Sequence, residues 1–295
     1  MNKKRVSWDD RFVEGLFYVL LAAFMILCLY PVYFVALASV TDAIYVNSGE
    51  LLLWPKGFHL NGYKFVMSDA RIGTGYVNTI VYTVGGTLLG LSASLSAGYA
   101  LSRRDLPGRG LVMAAMVFTM YFSGGLIPTY LVVRSLSLVN TRWVMIILGS
   151  VSVYNIILIR TFFMSTIPGE LQDAAFIDGC SNLRFFFRIA LPLSSAIVAV
   201  ISLYLAVGYW NAYFNALIYI TDLKKSPLQI FLRELLMAQS SDAGIADGEL
   251  AGEYKRMTQI VKYAVIVVAT LPIVCLYPFL QRYFVKGVMI GSLKG

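Results

Sequence analysis

The sequence predicts an all-α integral membrane protein with six transmembrane helices, and three observations carry this prediction. Of the 295 residues, 58% are hydrophobic and only 14% are charged, whereas a soluble domain carries about 25% charged residues. The mean hydropathy is +0.72. The apolar residues are also grouped into six long runs, and a helix needs roughly 20 such residues to cross about 30 Å of hydrocarbon.

The first two predicted spans are separated by a mixed loop. The first span, 13–39, follows a polar and basic N-terminus; it is too long for a signal peptide and has no cleavage site. The loop, 41–75, leads to the second span, 76–101. That span has a small residue at every fourth position: Gly86, Gly90, Ser94 and Gly98. Such a stripe lets membrane helices approach closely, either within one subunit or between two subunits.

The rest of the chain alternates between apolar spans and two long polar segments. The third span, 110–130, ends in a stretch, 123–130, whose glycines and proline can interrupt a membrane helix. The polar segments are 165–190 and 218–262, and we expect a short helix near 228–239 in the second. The remaining spans are 142–164, 191–217 and 263–281. All 295 residues thus form one transmembrane domain.

Lysine and arginine predict the orientation, because short cytoplasmic loops of membrane proteins are enriched in them. If both termini, the 102–109 turn, the 165–190 segment and Arg160 near the end of the fourth span lie on one side, that side holds 13 of the 24 basic residues. Most of the others lie in the two long loops, which count for little in this rule. We therefore place both termini and the 165–190 segment in the cytoplasm. The net charge of +8 fits membrane orientation better than nucleic-acid binding.

Several kinds of site are excluded by what the sequence lacks. His59 is the only histidine and the three cysteines are far apart, so neither a metal site nor a disulfide framework is predicted. No Gly-Lys dipeptide is present, so the chain has no P-loop and does not hydrolyse ATP itself. Hydrolase motifs are missing, and no catalytic residue is predicted. No Asp or Glu lies deep in a predicted span, which argues against a proton-coupled carrier.

The 168–192 segment combines good helix formers, a glycine joint and a basic aromatic stretch. A proline flanks it at each end, where helix boundaries favour proline. Residues 170–177 favour a short helix with an acidic start, which suits the positive end of the helix dipole. Gly179 ends that run, and residues 182–188 resume a helical pattern. The pattern predicts two short helices joined by a glycine turn outside the bilayer.

This spacing resembles the EAA loop of permease subunits of ATP-binding-cassette (ABC) importers. The matching positions are Asp173-Ala174-Ala175, Gly179, Ile189 and Leu191-Pro192, with Asp178 before the glycine. Asp173 stands where the family pattern has Glu, which keeps the charge but shortens the reach of the side chain.

The resemblance implies a type I ABC importer permease fold in which this loop couples the chain to ATPases. The helix over 170–177 would enter a cleft of an ATPase, where Asp173 would pair with a basic residue and two alanines would keep the contact close. Gly179 would permit the turn that follows. The residues assigned to ATPase coupling are Glu170, Asp173, Ala174, Ala175, Asp178, Gly179, Arg184 and Arg188.

Most of the chain is similar to sugar-type permeases, within the subclass named after polysaccharides and lipoproteins that includes alginate oligosaccharide importers. The stretches 122–130, 140–143 and 277–291 carry this similarity. It implies that a sugar or oligosaccharide, such as an acidic polysaccharide fragment, enters by ATP-driven alternating access across a bacterial cytoplasmic (inner) membrane. The implied partners are a second homologous permease, two cytoplasmic ATPases that use ATP and Mg²⁺, an external substrate-binding protein and membrane lipid. The chain itself would bind no cofactor and would not be an enzyme.

Two further assignments rest on residue types. Aromatic and amide groups at the outer end of the fifth span suit sugars, because sugar rings stack on aromatics and hydroxyls bond to amides. These substrate-path candidates are Tyr209, Trp210, Asn211, Tyr213 and Asn215, and an interfacial aromatic belt is the alternative. The 218–262 loop is a candidate docking site for the binding protein. An ion-coupled secondary transporter or a membrane-embedded enzyme is the alternative function.

Overall fold

The structure is a computed structural model that describes residues 8–48, 53–241, 258–275 and 278. All regular secondary structure in these residues is helical, which confirms the all-α fold class. Three helices are long and apolar enough to cross a membrane: Arg11–Ala38, Ala70–Ser102 and Thr258–Cys275. Two bent helix pairs raise the number of candidate spans in the described residues to five.

The described residues group into two compact units, and the first lies within residues 8–69 and 234–270. Its N-terminal part contains α1 (Trp8–Ala38), α2 (Ala43–Asn47) and α3 (Asn61–Ser68). The predicted mixed loop 41–75 therefore holds two short helices. Helix α2 begins where the Asp42 carboxylate accepts a hydrogen bond from Ile44 N at 3.0 Å, which satisfies one of the free N–H groups at its start.

Helix α3 packs closely on the helix Thr258–Cys275. A Cβ added to Gly62 would lie 2.8 Å from Ile260 Cγ2 and 3.1 Å from Ala264 Cβ. By contrast, none of the apolar window of α1 is buried in this chain. That window must be covered by lipid or by another subunit, because an apolar helix of this length is unfavourable in water.

Helix α4 (Ala70–Ser102) is the centre of the second unit, which includes residues 70–233. Its small-residue stripe faces other parts of the same chain: Gly86 lies against the ring of Tyr209, Gly90 against the Ser150 carbonyl and Gly98 against Ile159. A Cβ at any of these glycines would overlap the facing atoms. The stripe therefore packs within this subunit, which decides between the two interpretations that the sequence allowed.

The third predicted span is interrupted by glycine, as its sequence suggested. It is divided into α5 (Arg109–Tyr121) and α6 (Leu126–Ser135), whose axes are bent by 114°. Gly125, between them, has φ of 82°, a left-handed backbone that other residues rarely adopt.

The predicted span 142–164 is not one helix. The chain forms α7 (Arg142–Ile147), leaves the helical path at Leu148 with ψ of 123°, passes through Gly149 with φ of 84°, and starts α8 (Val153–Thr166). Gly149, Ser150 and Ser152 at this break are flanked by long apolar stretches, so hydropathy averaged over a span does not reveal it. A later side chain, Tyr209, makes the break possible, as described below.

The chain then passes through a series of short helices into a bent membrane segment. These are α9 (Gly169–Ile177), α10 (Asn182–Phe185), a π-helix (Phe186–Ala190), α11 (Leu191–Leu193) and α12 (Ser195–Trp210). Pro192 has no N–H to donate to the carbonyl of Arg188, and a proline at this position also crowds that carbonyl. The helix accordingly widens just before Pro192 and bends by 82° where α12 begins.

The long second loop contains regular structure. It follows α13 (Phe214–Tyr219) and holds a 3₁₀ turn (Leu223–Lys225) and α14 (Leu228–Ser241). Helix α14 confirms the short helix predicted near 228–239. Residues 242–257 of this loop, most of the 277–291 stretch and the basic tail lie outside the described residues.

Candidate functional site

Helix α9 carries the acidic part of the predicted functional loop and ends in a Schellman turn. Cys180 N donates to Ala175 O at 2.9 Å, and Gly179 N donates to Phe176 O at 3.0 Å. Gly179 has φ of +77°, where a side chain would strain the backbone. The glycine joint is therefore a defined helix end, and it fixes the direction in which α10 leaves.

One face of α9 attaches the loop to the second unit. Ala175 is only 8% exposed and packs with Phe163 of α8 and Phe185 of α10. Neighbouring residues on a helix point about 100° apart, so Ala174 and Ala175 face different surroundings. Ala174 is exposed, whereas Ala175 anchors α9 to its own chain. Of the two alanines assigned to the ATPase contact, only Ala174 is therefore accessible in this chain, and the coupling role of the loop stays a prediction.

The outward face of the loop combines apolar and charged side chains. Ile177 is 87% exposed, Leu183 72% and Phe187 60%. Each of these three apolar side chains is accessible to another subunit or to lipid. The charged candidates from the sequence are exposed as well: Glu170, Asp173, Asp178, Arg184 and Arg188.

Arg103 is a residue of this region that the sequence analysis treated only as part of a basic turn. It follows α4, and its side chain is 9% exposed. Its Nε and Nη2 donate to the two carboxylate oxygens of Asp105 at 2.8 and 2.6 Å. This hydrogen bonding raises the pKa of Arg103 and lowers the pKa of Asp105. The one signal in the sequence was an acid two residues after the arginine; the burial comes from α9, which packs over the turn.

The five substrate-path candidates do not share one environment. Tyr209 and Trp210 are buried, at 7% and 5% exposure. Tyr209 OH donates to Ile146 O at 2.7 Å, and Trp210 packs edge-on against Tyr76 with 6.0 Å between ring centroids. Both therefore pack within the chain instead of lining an open path. The other candidates are more accessible: Asn211 and Tyr213 are exposed and Asn215 is half-buried.

The end of α4 remote from Arg103 holds the start of the long loop. Asn78 Nδ2 donates to the carbonyls of Lys224 and Ser226 at 2.8 and 3.1 Å. Tyr82 OH donates to the Lys225 carbonyl at 2.7 Å. Asn78 and Tyr82 are each 1% exposed, so these hydrogen bonds are shielded from water. They fix the chain from which α14 starts.

Comparison with known proteins identifies the family. No protein-family model matches the chain. The polygalacturonan/rhamnogalacturonan transport system permease protein YtcP of Bacillus subtilis (strain 168) is 40% identical over 286 residues, which cover 97% of this chain and 99% of that protein. Protein LplC of the same organism is 41% identical over 265 residues, covering 90% of this chain and 89% of that protein. The crystal structure of a bacterial ABC transporter involved in the import of the acidic polysaccharide alginate matches with a TM-score of 0.84 and 31% identity, over 96% of this chain and 100% of that one.

The chain belongs to the permease subunits of sugar ABC importers. The resemblance first seen in the 168–192 segment is thereby confirmed over nearly the whole length. The relatives are transport components, so this permease is a membrane transport subunit and not itself a catalytic enzyme. The comparisons do not favour an ion-coupled carrier or a membrane-embedded enzyme. Within the described residues, no group of three or more histidines, cysteines or acids is placed to hold a metal ion.

Proposed function

We propose that this permease is one of two membrane subunits of an importer that moves acidic oligosaccharides into the bacterial cytoplasm. Two comparisons support the acidic class, since one relative is named for polygalacturonan and rhamnogalacturonan and one solved structure imports alginate. Fragments of such polymers carry ring carboxylates as well as hydroxyls. The other subunits are a second homologous permease, two cytoplasmic ATPases that bind ATP and Mg²⁺, and an external substrate-binding protein. This chain holds no cofactor of its own.

The exposed face of α9 is the observation that carries the proposal. A short helix with Glu170 and Asp173 on its outer side, and with Ile177 almost fully exposed, suits a cleft that has basic and apolar walls. The Schellman turn at Gly179 holds this helix at a fixed angle to α10. Closure of the two ATPases on ATP would push α9 and move the permease between inward-facing and outward-facing states.

Six spans, with both termini and the 165–190 loop in the cytoplasm of an inner-membrane protein, complete the topology that we propose. The distribution of lysine and arginine supports this orientation. The unburied apolar window of α1 supports the second permease, because that surface is available to pack against another membrane helix.

The sugar would pass beside the outer end of α12. Asn211, Tyr213 and Asn215 are accessible and offer amides and an aromatic ring to a sugar. The loaded binding protein would dock on the 218–262 loop. The buried hydrogen bonds from Asn78 and Tyr82 support this role, since they give the loop a rigid base at α14.

The first experiment reconstitutes the permease in liposomes with its co-purifying subunits and measures uptake of a labelled oligogalacturonide. We expect uptake that needs ATP and the binding protein, is competed by unlabelled acidic oligosaccharides, and is not competed by a neutral maltotriose of equal length.

Asp173→Lys puts a positive charge where the ATPase cleft requires an acid. This variant should reduce both the amount of co-purifying ATPase and the rate of uptake by at least about tenfold, because loss of a buried charge contact weakens binding by at least that factor.

Asp173→Glu is the matched control, because it keeps the charge and restores the residue of the family pattern. It should bind the ATPase and transport at nearly the wild-type rate. Normal uptake in Asp173→Lys would refute the coupling role of α9. A wild-type permease that purifies without any ATPase would refute the proposed function altogether, and competition by maltotriose would refute only the acidic substrate class.

A further inference from the structure

Arg103 is enclosed by hydrogen-bond acceptors from α4, the following turn and α9. Besides its two bonds to Asp105, Nη1 donates to Tyr99 OH at 3.2 Å. The Gln172 amide of α9, with its oxygen turned to the guanidinium, accepts from Nη1 and Nη2 at 3.0 Å each. A guanidinium has five N–H groups, and these contacts use every one of them. Arg103 thus has no donor left for a lipid headgroup or for a partner subunit.

Ring contacts strengthen the same link. The guanidinium carbon of Arg103 lies 5.2 Å from the ring centroid of Phe176, also on α9. Gln172 and Phe176 are four residues apart and therefore lie on one face of the helix. Tyr99, whose hydroxyl accepts from Arg103, packs against Phe163 and Phe186, with ring centroids 5.6 and 4.8 Å away.

The two faces of helix α9 therefore make different contacts. Gln172, Ala175 and Phe176 point inward, while Glu170 and Asp173 point outward. Of the inward residues, Ala175 makes only apolar contacts, which have no preferred direction. Gln172 meets a fork of N–H groups with fixed geometry, which resists sliding and rotation.

We propose that Arg103 is a positioning residue that transmits movement of α9 directly to the membrane helix α4. This inference rests on the proposed coupling role of α9. Because α4 packs against α12 through Gly86 and against α8 through Gly98, a displacement at its Arg103 end moves a packed set of helices. Without the guanidinium, a push on α9 is absorbed by sliding of α9 over α4, and ATP is hydrolysed with less transport.

The test compares Arg103→Lys with Arg104→Lys in liposomes that contain the complete transporter. Lysine keeps the charge but offers a single point with three donors, which cannot meet Asp105, Tyr99 and Gln172 together. Arg104 is exposed and adjacent, so its replacement is the matched control. We expect Arg103→Lys to keep wild-type affinity for the ATPase and wild-type basal ATP hydrolysis. In Arg103→Lys, the amount of sugar imported per ATP hydrolysed should fall by about two- to thirtyfold, which is the range of coupling changes caused by residues that contact neither ligand. Arg104→Lys should leave this ratio unchanged.

Gln172→Leu provides a second variant with little risk to folding, because it removes only the acceptor on α9. It should lower the same ratio, and the double variant Arg103→Lys/Gln172→Leu should be no worse than the poorer single variant, since both act through one contact. If Arg103→Lys does not assemble, Gln172→Leu alone decides the matter. A normal import-to-ATP ratio in Gln172→Leu, or losses that multiply in the double variant, overturns the inference while the proposed function stands. Failure of the wild-type chain to bind an ATPase overturns both.

Discussion

Tyr209 illustrates how one side chain allows a membrane helix to break. Between α7 and α8, Ser150 N donates to Ile147 O at 3.1 Å, which leaves Ile146 O without its usual helical donor. An unpaired carbonyl costs several kcal/mol in hydrocarbon. Tyr209 OH, from α12, supplies the missing donor at 2.7 Å, and Gly86 leaves room for the ring.

Tyr209→Phe keeps the ring and removes only this donor. We expect the variant to lose about 1–3 kcal/mol of stability, the usual cost of an unsatisfied buried carbonyl. Thermal unfolding in detergent measures the loss. Tyr204→Phe is the control on the same helix, since Tyr204 is 51% exposed and should tolerate the change. Equal unfolding temperatures for wild type and Tyr209→Phe would show that another group satisfies Ile146 O.

Residue type alone does not separate packing from function among the site candidates. An aromatic and amide cluster suggested a sugar path, yet Tyr209 and Trp210 are buried in contacts within the chain. Gly179 was predictable, because a glycine between two helical patterns signals a turn that needs positive φ. Arg103 was not, because its importance depends on Gln172, which lies far along the chain and reaches it only after α4, α8 and α9 have packed.

At the level of elements, hydropathy predicted that the membrane segments are helical, but it did not predict where these helices are interrupted. The long spans of α1 and α4 were visible as unbroken apolar runs, and α14 as a helical pattern in a polar loop. The break after α7 was hidden, because it depends on a hydrogen bond from a residue about sixty positions later. The sequence around a break does not reveal a hydrogen bond that comes from so distant a residue.

The small-residue stripe of α4 provides a prediction at this scale. A Cβ at Gly90 would overlap the Ser150 carbonyl, whereas a Cβ at Gly73, in the same helix, would meet nothing within 4 Å. Alanine favours a helix over glycine by about 1 kcal/mol, so Gly73→Ala should be neutral or mildly stabilising. Gly90→Ala should lose about 1–3 kcal/mol through overpacking. Unfolding temperatures and the yield of assembled transporter measure both, and a stable Gly90→Ala variant would mean that α4 and the 148–152 break separate easily.

For the whole molecule, composition predicted a membrane protein, and the 168–192 pattern indicated the importer family. Two surfaces of the chain are available to partner subunits. The apolar window of α1 is unburied, and the outer face of α9 exposes Ile177 beside acids. The sequence of one chain does not name the subunits that cover these surfaces. The surfaces do indicate the chemistry of those partners: an apolar membrane helix for α1 and a partly basic cleft for α9.

Orientation in the membrane is the prediction on which the coupling role depends. In a variant whose three cysteines (Cys28, Cys180 and Cys275) are replaced by alanine, Trp54→Cys and Ile177→Cys place single thiols at positions that are 77% and 87% exposed. Position 54 lies in the proposed external loop and position 177 in the proposed cytoplasmic loop.

A membrane-impermeant maleimide should label position 54 in intact cells and position 177 only after permeabilisation. Labelling uses the permease expressed without its ATPases, which would cover position 177 in the proposed complex. The high exposure of both residues in the chain itself then removes burial as a reason for poor labelling, and labelling both thiols after permeabilisation controls for reactivity. Labelling of position 177 in intact cells would place α9 outside, where no ATP-driven subunit can reach it, and would refute coupling through this loop.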